Sequence, residues 1–344
     1  MKALVKTQKG VGFLEYTDMP EPTPGPGEVK IQVKACGICG TDLHIRHDTF
    51  RNFPPVILGH EFSGIVAAVG PGVRGIEPGQ RVVSEVVYET CGRCRACKTG
   101  AYNLCLTRRG LGWAANGAFA TYTLVEAGNV HPMPDNLSFE EAALSEPLAV
   151  CAYATCELTG IAAGDLVLVS GPGPIGLLTA QCALAEGGYV IVSGTTADAA
   201  RLELARELGA HVVVNVDEQD VVALARQLGN GLGVDVVLEC SGAAPAARMG
   251  LEAVRKGGKY MQVGLFGRPI EVAMDQVALK ELHVLGVFSS NWRGWNRGLR
   301  LAAQGRIRLR PLISHTFPLA EWEKGFAVAE QKQGLKVLLI PDEP

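Results

Sequence analysis

Hydrophobic positions along the chain change their period near residue 150. Before it, short alternating runs such as Val29–Ala35, Ile65–Val69 and Arg81–Val87 are separated by turn residues, among them Pro20-Glu21-Pro22-Thr23-Pro24-Gly25-Pro26-Gly27. A period of two predicts half-buried strands, and few segments carry a helical period, so this part reads as an irregular β-rich domain. Beyond residue 150, Leu166–Ser170 is a continuous apolar run, Gly176–Glu186 has helical composition, Tyr189–Ser193 is strand-like, Asp198–Leu208 helical and Val212–Val214 strand-like again. Val234–Leu238, Lys259–Val263 and Val284–Phe288 continue the strands. Strands alternating with helices predict a parallel, doubly wound sheet. From about Asn291 the chain predicts a helix at Gly298–Gln304, a proline-marked loop, a helix at Glu321–Glu330 and a last strand, Lys336–Ile340. That apolar strand is expected to offer an edge for subunit pairing.

A length of 344 residues suits two domains rather than one core. Hydrophobic content of 47% with 19% charged residues belongs to a well-packed globular chain, and a net charge of −3 gives no reason to expect nucleic acid or an anionic membrane as partner. The first residues hold no apolar run of signal-peptide length, and Gly, Asp or Arg interrupts every apolar stretch before it could span a bilayer, so the expected location is the cytoplasm. Ten cysteines without an export signal read as metal binding rather than disulfides.

Four of them crowd together. Cys91, Cys94 and Cys97 stand at two-residue intervals and Cys105 follows after seven more residues. Such gaps let thiolates converge on one tetrahedral ion at about 2.3 Å, which predicts a closed, structural zinc site. Four thiolates leave a formal charge of about −2, which Arg93, Arg95, Lys98, Arg108 and Arg109 would offset.

A second set is looser. Cys36-Gly37-Ile38-Cys39-Gly40-Thr41-Asp42-Leu43-His44 precedes Gly59-His60-Glu61, and Glu146 lies in Ser145-Glu146-Pro147. Cys36 and Cys39 would be half of a zinc ribbon, but no matching pair remains for them. A thiolate, an imidazole and a carboxylate with one open position form the arrangement that catalytic zinc uses.

The third feature is Gly171-Pro172-Gly173-Pro174-Ile175-Gly176 at the end of the strand Leu166–Ser170 and the start of a helix. Between a strand and a helix, this pattern predicts a dinucleotide site. Gly171 permits the tight turn, Gly173 lets the pyrophosphate approach and Gly176 lets helix and strand pack, while the helix amides face the phosphates. An acidic residue usually ends the next strand and holds the ribose hydroxyls. Here Ser193-Gly194-Thr195-Thr196-Ala197-Asp198 stands instead, with Arg201 following. Gly194 removes the charge that repels a 2′-phosphate, and Thr195, Thr196 and Arg201 would receive one. The balance tips slightly to NADP, with NAD nearly level and Asp198 in reach of the ribose.

Gly59-His60-Glu61 with Gly64, Gly70 and Val73 resembles the zinc-alcohol-dehydrogenase signature, and the other motifs follow in that family's order over essentially the whole chain. The resemblance is to the zinc-dependent medium-chain alcohol dehydrogenases, nearest their sorbitol (polyol) and threonine dehydrogenase branch. It implies an α/β fold with a GroES-like catalytic domain at 1–152, carrying the zinc lobe at about 88–110. A Rossmann domain at 153–289 and a segment 290–344 returning to the catalytic domain would complete it. It implies two zinc ions per subunit, NAD(P), and a dimer or tetramer acting on a small-molecule alcohol. Cys39 and His60 would be catalytic zinc ligands, Glu61 and Glu146 carboxylates that bind directly or through water and exchange, and Cys36 a packed thiol. Thr41 would contact the alcohol and His44 pass its proton to solvent, with His47 a weak competitor. His131, His211, His283 and His315 read as structural.

The expected activity is reversible oxidation of a secondary hydroxyl of a polyol, sugar or related alcohol to a ketone. L-Threonine 3-dehydrogenase is the alternative, and a non-catalytic zinc- or nucleotide-binding protein the remote one. Glu-Pro-Leu-Ala-Val and the missing tryptophan-bearing insertion favour the polyol side. Ser289-Ser290-Asn291-Trp292, where polyol enzymes offer arginine and tyrosine, leaves the substrate open. Phe50, Phe119 and Trp292 are candidates for the pocket wall.

Overall fold

The computed structural model describes residues 1–343. The chain divides into two compact units. One is built from Met1–Glu146 and the segment from Leu309 onward, the other from Pro147–Arg308.

The first unit is built on a seven-stranded sheet, with the order Val130–Pro132, Arg81–Ser84, Glu61–Val69, Glu28–Gly37, Lys336–Ile340 and Ile313–Pro318, and with Tyr122–Glu126 also pairing Glu28–Gly37. Its core gathers the inward side chains of these strands, including Ile31, Val33, Phe62, Val66 and Leu339, around Phe119 and Phe326. The alternation seen at Val29–Ala35 places Val29, Ile31 and Val33 in that core. Two elements differ from expectation. Arg81–Val87 is two strands, Arg81–Ser84 and Val87–Glu89, because the buried Glu85 between them accepts hydrogen bonds from Tyr102 Oη at 2.7 and 3.0 Å and lies 3.1 Å from His131 Nε2. The strand Lys336–Ile340 is no edge: it pairs in parallel with Ile313–Pro318 and antiparallel with Glu28–Gly37. Its apolar character comes from burial in the sheet interior, so it offers no free edge to a second subunit.

The second unit is a six-stranded sheet, parallel throughout, ordered Val212–Asn215, Tyr189–Gly194, Leu166–Ser170, Val234–Glu239, Val254–Gln262 and His283–Gly286. Numbered along the chain this is 3-2-1-4-5-6, the doubly wound Rossmann order. Leu166–Ser170 is buried along its whole length, as a central parallel strand must be. The expected helix at Gly298–Gln304 begins earlier, at Trp292, because the Asn291 side chain accepts from Arg293 N at 3.1 Å and caps it. No helix among the described residues is long and apolar enough to cross a membrane.

Candidate active site and zinc clusters

Cys39 caps the helix Gly40–Arg46, and Asp42 closes a capping box by accepting from Cys39 N at 2.9 Å. The fully buried Asp42 also accepts from Gly59 N at 3.3 Å, which ties the Cys39 loop to the loop preceding His60. Gly59 is held at φ 87°, and a Cβ there would lie 2.7 Å from Phe119 Cγ and 2.8 Å from Phe119 N. No side chain fits. Gly59→Ala is therefore expected to cost about 3 kcal/mol through backbone strain and overpacking, measured by chemical denaturation. Phe119 itself is fully buried against Phe326, so it belongs to the core and not to a pocket wall.

These contacts bring Cys39, His60 and Glu61 together, with one ligand atom from each inside a common 4.8 Å span. His60 Nδ1 is buried without a hydrogen bond, 3.8 Å from Asp42 Oδ1. Burial would lower the His60 pKa, but Cys39, Asp42 and Glu146 raise it to about 10. A borderline-soft dication suits these thiol–imidazole–carboxylate donors. Glu61 is buried, and both its oxygens accept from the buried Lys336 Nζ, at 2.8 and 2.5 Å. Glu146 stands outside the 4.8 Å set; burial pushes its carboxyl up to about 7, with the Glu61 charge adding and His60, Lys336 and Arg108 opposing. Cys36 is fully buried, and burial pushes its thiol well up.

On the helix Gly40–Arg46, Thr41 is half-buried and His44, three residues on, is exposed, with Nδ1 3.0 Å from Thr49 Oγ1. That spacing sets both side chains on neighbouring positions of one helical face. His47 is committed elsewhere, to an ion pair with Glu330.

In the cysteine lobe, sulfur–sulfur separations are 3.5 Å for Cys94–Cys97, 3.7 Å for Cys91–Cys105 and 3.9 Å for Cys91–Cys97. Ligands about 2.3 Å from a tetrahedral ion stand about 3.8 Å apart, whereas a disulfide needs about 2.05 Å. The four thiols fit zinc. Backbone N–H of Cys91 and the Thr107 hydroxyl lower Cys105 to about 6, towards the thiolate a metal needs.

In the second unit, Gly171 takes φ 94°, and a Cβ on Gly176 would fall 1.8 Å from Gly171 O. A Cβ on Gly173 would meet nothing within 4 Å, as at a surface kept clear for a ligand. Pro174 opens the helix Pro174–Ala185, leaving the Ile175 and Gly176 amides in its first turn without intrahelical acceptors. At the end of the strand Tyr189–Gly194, Asp198 accepts from Thr195 N at 3.1 Å and Thr195 Oγ1 at 2.9 Å, and pairs with Arg201 at 3.5 Å. Thr196 N donates to Asp217 at 2.8 Å.

Asp42, Lys336 and Asp217 escaped the sequence reading. Asp42 had a signal, three residues after Cys39 in capping-box spacing. Lys336 had none, since 275 residues separate it from Glu61.

Residues 25–135 match the family described as alcohol dehydrogenase GroES-like domain, and residues 174–304 the family described as zinc-binding dehydrogenase. Over 342 residues the chain is 43% identical to a sorbitol dehydrogenase of Halalkalibacterium halodurans, covering 99% of each. The chain belongs to the zinc-dependent medium-chain alcohol dehydrogenases. This oxidoreductase is also 38% identical to a D-arabitol-phosphate dehydrogenase of Enterococcus avium, over 98% of this chain and 97% of the other. A zinc-binding dehydrogenase from Sinorhizobium meliloti, solved with NADP bound, superposes on this medium-chain dehydrogenase with a TM-score of 0.91. It is 37% identical, with 99% of each chain covered.

Proposed function

We propose that this enzyme oxidises a secondary hydroxyl of a polyol or related alcohol to a ketone, delivering hydride to a nicotinamide. The observation that carries this reading is the Cys39–His60–Glu61 set, half-buried at Cys39 and buried at the other two, which gathers three donors of catalytic-zinc type within 4.8 Å of one another. Cys39, His60 and a carboxylate would hold the ion. Glu61 is the carboxylate within reach of the other two donors, and Glu146 is the candidate to replace it. Zinc at such a site supplies Lewis acidity that makes a hydroxyl proton acidic near neutral pH. Thr41 would accept that proton from the substrate, and the exposed His44 would deliver it to solvent. The buried Lys336 donates to both Glu61 oxygens and holds that carboxylate in place.

Gly173 leaves room for a pyrophosphate, and the Ile175 and Gly176 amides supply its donors. The absence of a carboxylate at Gly194 and the charge of Arg201 favour NADP. Asp198 and Asp217, already bonded to Thr195 and Thr196, set two negative charges beside the same turn and keep that preference modest. Initial rates with NADP are expected to exceed those with NAD by less than about tenfold, and Arg201→Ala to reverse the order by removing one charged hydrogen-bond donor. A strong preference of the unaltered enzyme for NAD would overturn this assignment.

A homo-oligomer fits the edge strand His283–Gly286, which pairs on one side only and exposes Val284, with Leu279 and Phe288 exposed nearby. The deciding experiment for the activity is an oxidation panel of polyols, simple secondary alcohols and L-threonine with each cofactor. Turnover of polyols is expected, and turnover of L-threonine alone would replace this reading.

A further inference from the structure

We propose that Glu239 is a positioning residue for the nicotinamide cofactor, fixing through the turn Cys240-Ser241-Gly242 the crevice wall that faces Gly171; the proposal rests on reading the glycine turn as a dinucleotide site. In the strand order 3-2-1-4-5-6 the first and fourth strands, Leu166–Ser170 and Val234–Glu239, are neighbours, and Ser170 pairs in register with Glu239. The strand order reverses between these two, and an open sheet of this kind takes its dinucleotide at that point, in the crevice beyond the carboxyl ends of the strands. Gly171 leads the chain out of one strand and Cys240 leads it out of the other.

These two exits are packed against each other. Cys240 N donates to Ser170 O at 2.9 Å, and a Cβ on Gly171 would lie 2.7 Å from Ser241 Cβ and 2.9 Å from Ser241 Cα. The exposed Ser241 thus lies against the first glycine of the cofactor turn, with no slack for a shift towards it. Gly242, at φ 65°, is confined from the other side. A Cβ on it would fall 2.4 Å from Leu265 O, and one on Gly264 would fall 2.3 Å from Gly242 N.

Glu239 holds the turn from beneath. Its fully buried carboxylate takes four donor groups: Oε1 accepts from Ser241 N at 2.8 Å, from the Ser241 hydroxyl and from Gly242 N at 3.1 Å, while Oε2 accepts from Gly242 N at 3.1 Å and Gln262 Nε2 at 2.6 Å. Gln262 is itself held, donating to Gly264 O at 2.7 Å and accepting from Tyr260 Oη at 3.0 Å. Burying a carboxylate is costly unless its lone pairs are met, and here the amides of the crevice wall meet them. Two consecutive amides are directed at Glu239, so at these positions the wall contributes shape and not phosphate donors. A neutral amide at position 239 would set an NH2 group among partners that all donate, which releases part of the turn. A purely structural cap would show in stability alone, whereas a turn packed on Gly171 also shows in affinity for the dinucleotide.

The test uses the zinc-loaded, full-length enzyme, unaltered and as Glu239→Gln, Gln262→Met and the double variant. NADH and NADPH are titrated by fluorescence, and melting is followed without cofactor. KM for the oxidised cofactor and kcat are measured with the alcohol that the unaltered enzyme turns over fastest. Glu239→Gln is expected to raise both dissociation constants about 10- to 100-fold by removing charge-assisted hydrogen bonds. Gln262→Met removes one donor to Oε2 and should weaken both about threefold. The double variant should bind no more weakly than Glu239→Gln, because both changes act through one carboxylate. KM for the cofactor should rise with kcat not lowered, and zinc content should match the unaltered enzyme. Unchanged dissociation constants in folded Glu239→Gln, whatever its melting temperature, overturn this proposal and leave the cofactor reading standing. Should that variant not fold, unchanged constants in Gln262→Met overturn it equally. If the unaltered enzyme binds neither NADH nor NADPH, the cofactor reading falls and this proposal with it.

Discussion

Replacing Cys39 with serine is expected to lower kcat/KM about a thousandfold or more while the melting temperature stays near that of the unaltered enzyme. The size follows from the role: Lewis-acid stabilisation of a developing alkoxide contributes several kcal/mol, and each 1.36 kcal/mol is tenfold in rate. A serine hydroxyl keeps the shape of the helix cap but is a poor zinc ligand. Asp42 would still accept from the backbone N–H at position 39, so the loop keeps its fold. Zinc content should fall from two ions per chain to one, read by elemental analysis. Full activity at one zinc per chain would show the catalytic assignment to be wrong.

Cys97→Ser should do the reverse, with the cost falling on stability. The helix Arg95–Lys98 has four residues and buries none of them, so the lobe has almost no apolar core of its own. Bonds from one ion to four thiolates would then hold it together, as in small zinc modules. Loss of Cys97 is expected to cost about 3 kcal/mol or more and to open the segment 91–105 to proteases, because binding energy at such a site is folding energy. Limited proteolysis with and without a chelator checks this. An unaltered digestion pattern for the variant would mean that packing alone supports the lobe.

Both variants test features that local spacing announced. The two-residue gaps between Cys91, Cys94 and Cys97, and the glycine turn between Leu166–Ser170 and its helix, are short-range patterns whose geometry a few backbone dihedrals determine. For the same reason the parallel strands of the second unit were legible from their apolar runs. Elements that depend on distant partners were not. Arg81–Val87 looks like one strand until the buried Glu85 meets Tyr102 and His131. Phe119 looks like a pocket aromatic until its ring is seen filling the space that Gly59 leaves.

The sequence by itself determined the fold class, the family, both sets of zinc-type donors and the cofactor turn, because each is written in residue type and short spacing. Only the tertiary structure decided how those residues are held and charged. The strand Lys336–Ile340 became an interior strand because Glu28–Gly37 and Ile313–Pro318 flank it. That placement carries Lys336 to Glu61 and buries an ion pair within the Cys39–His60–Glu61 group. Loop packing likewise brought Arg51 over the ring of Trp113. Such long-range electrostatics leave no periodic trace in a sequence, since charge acts through space and not along the chain.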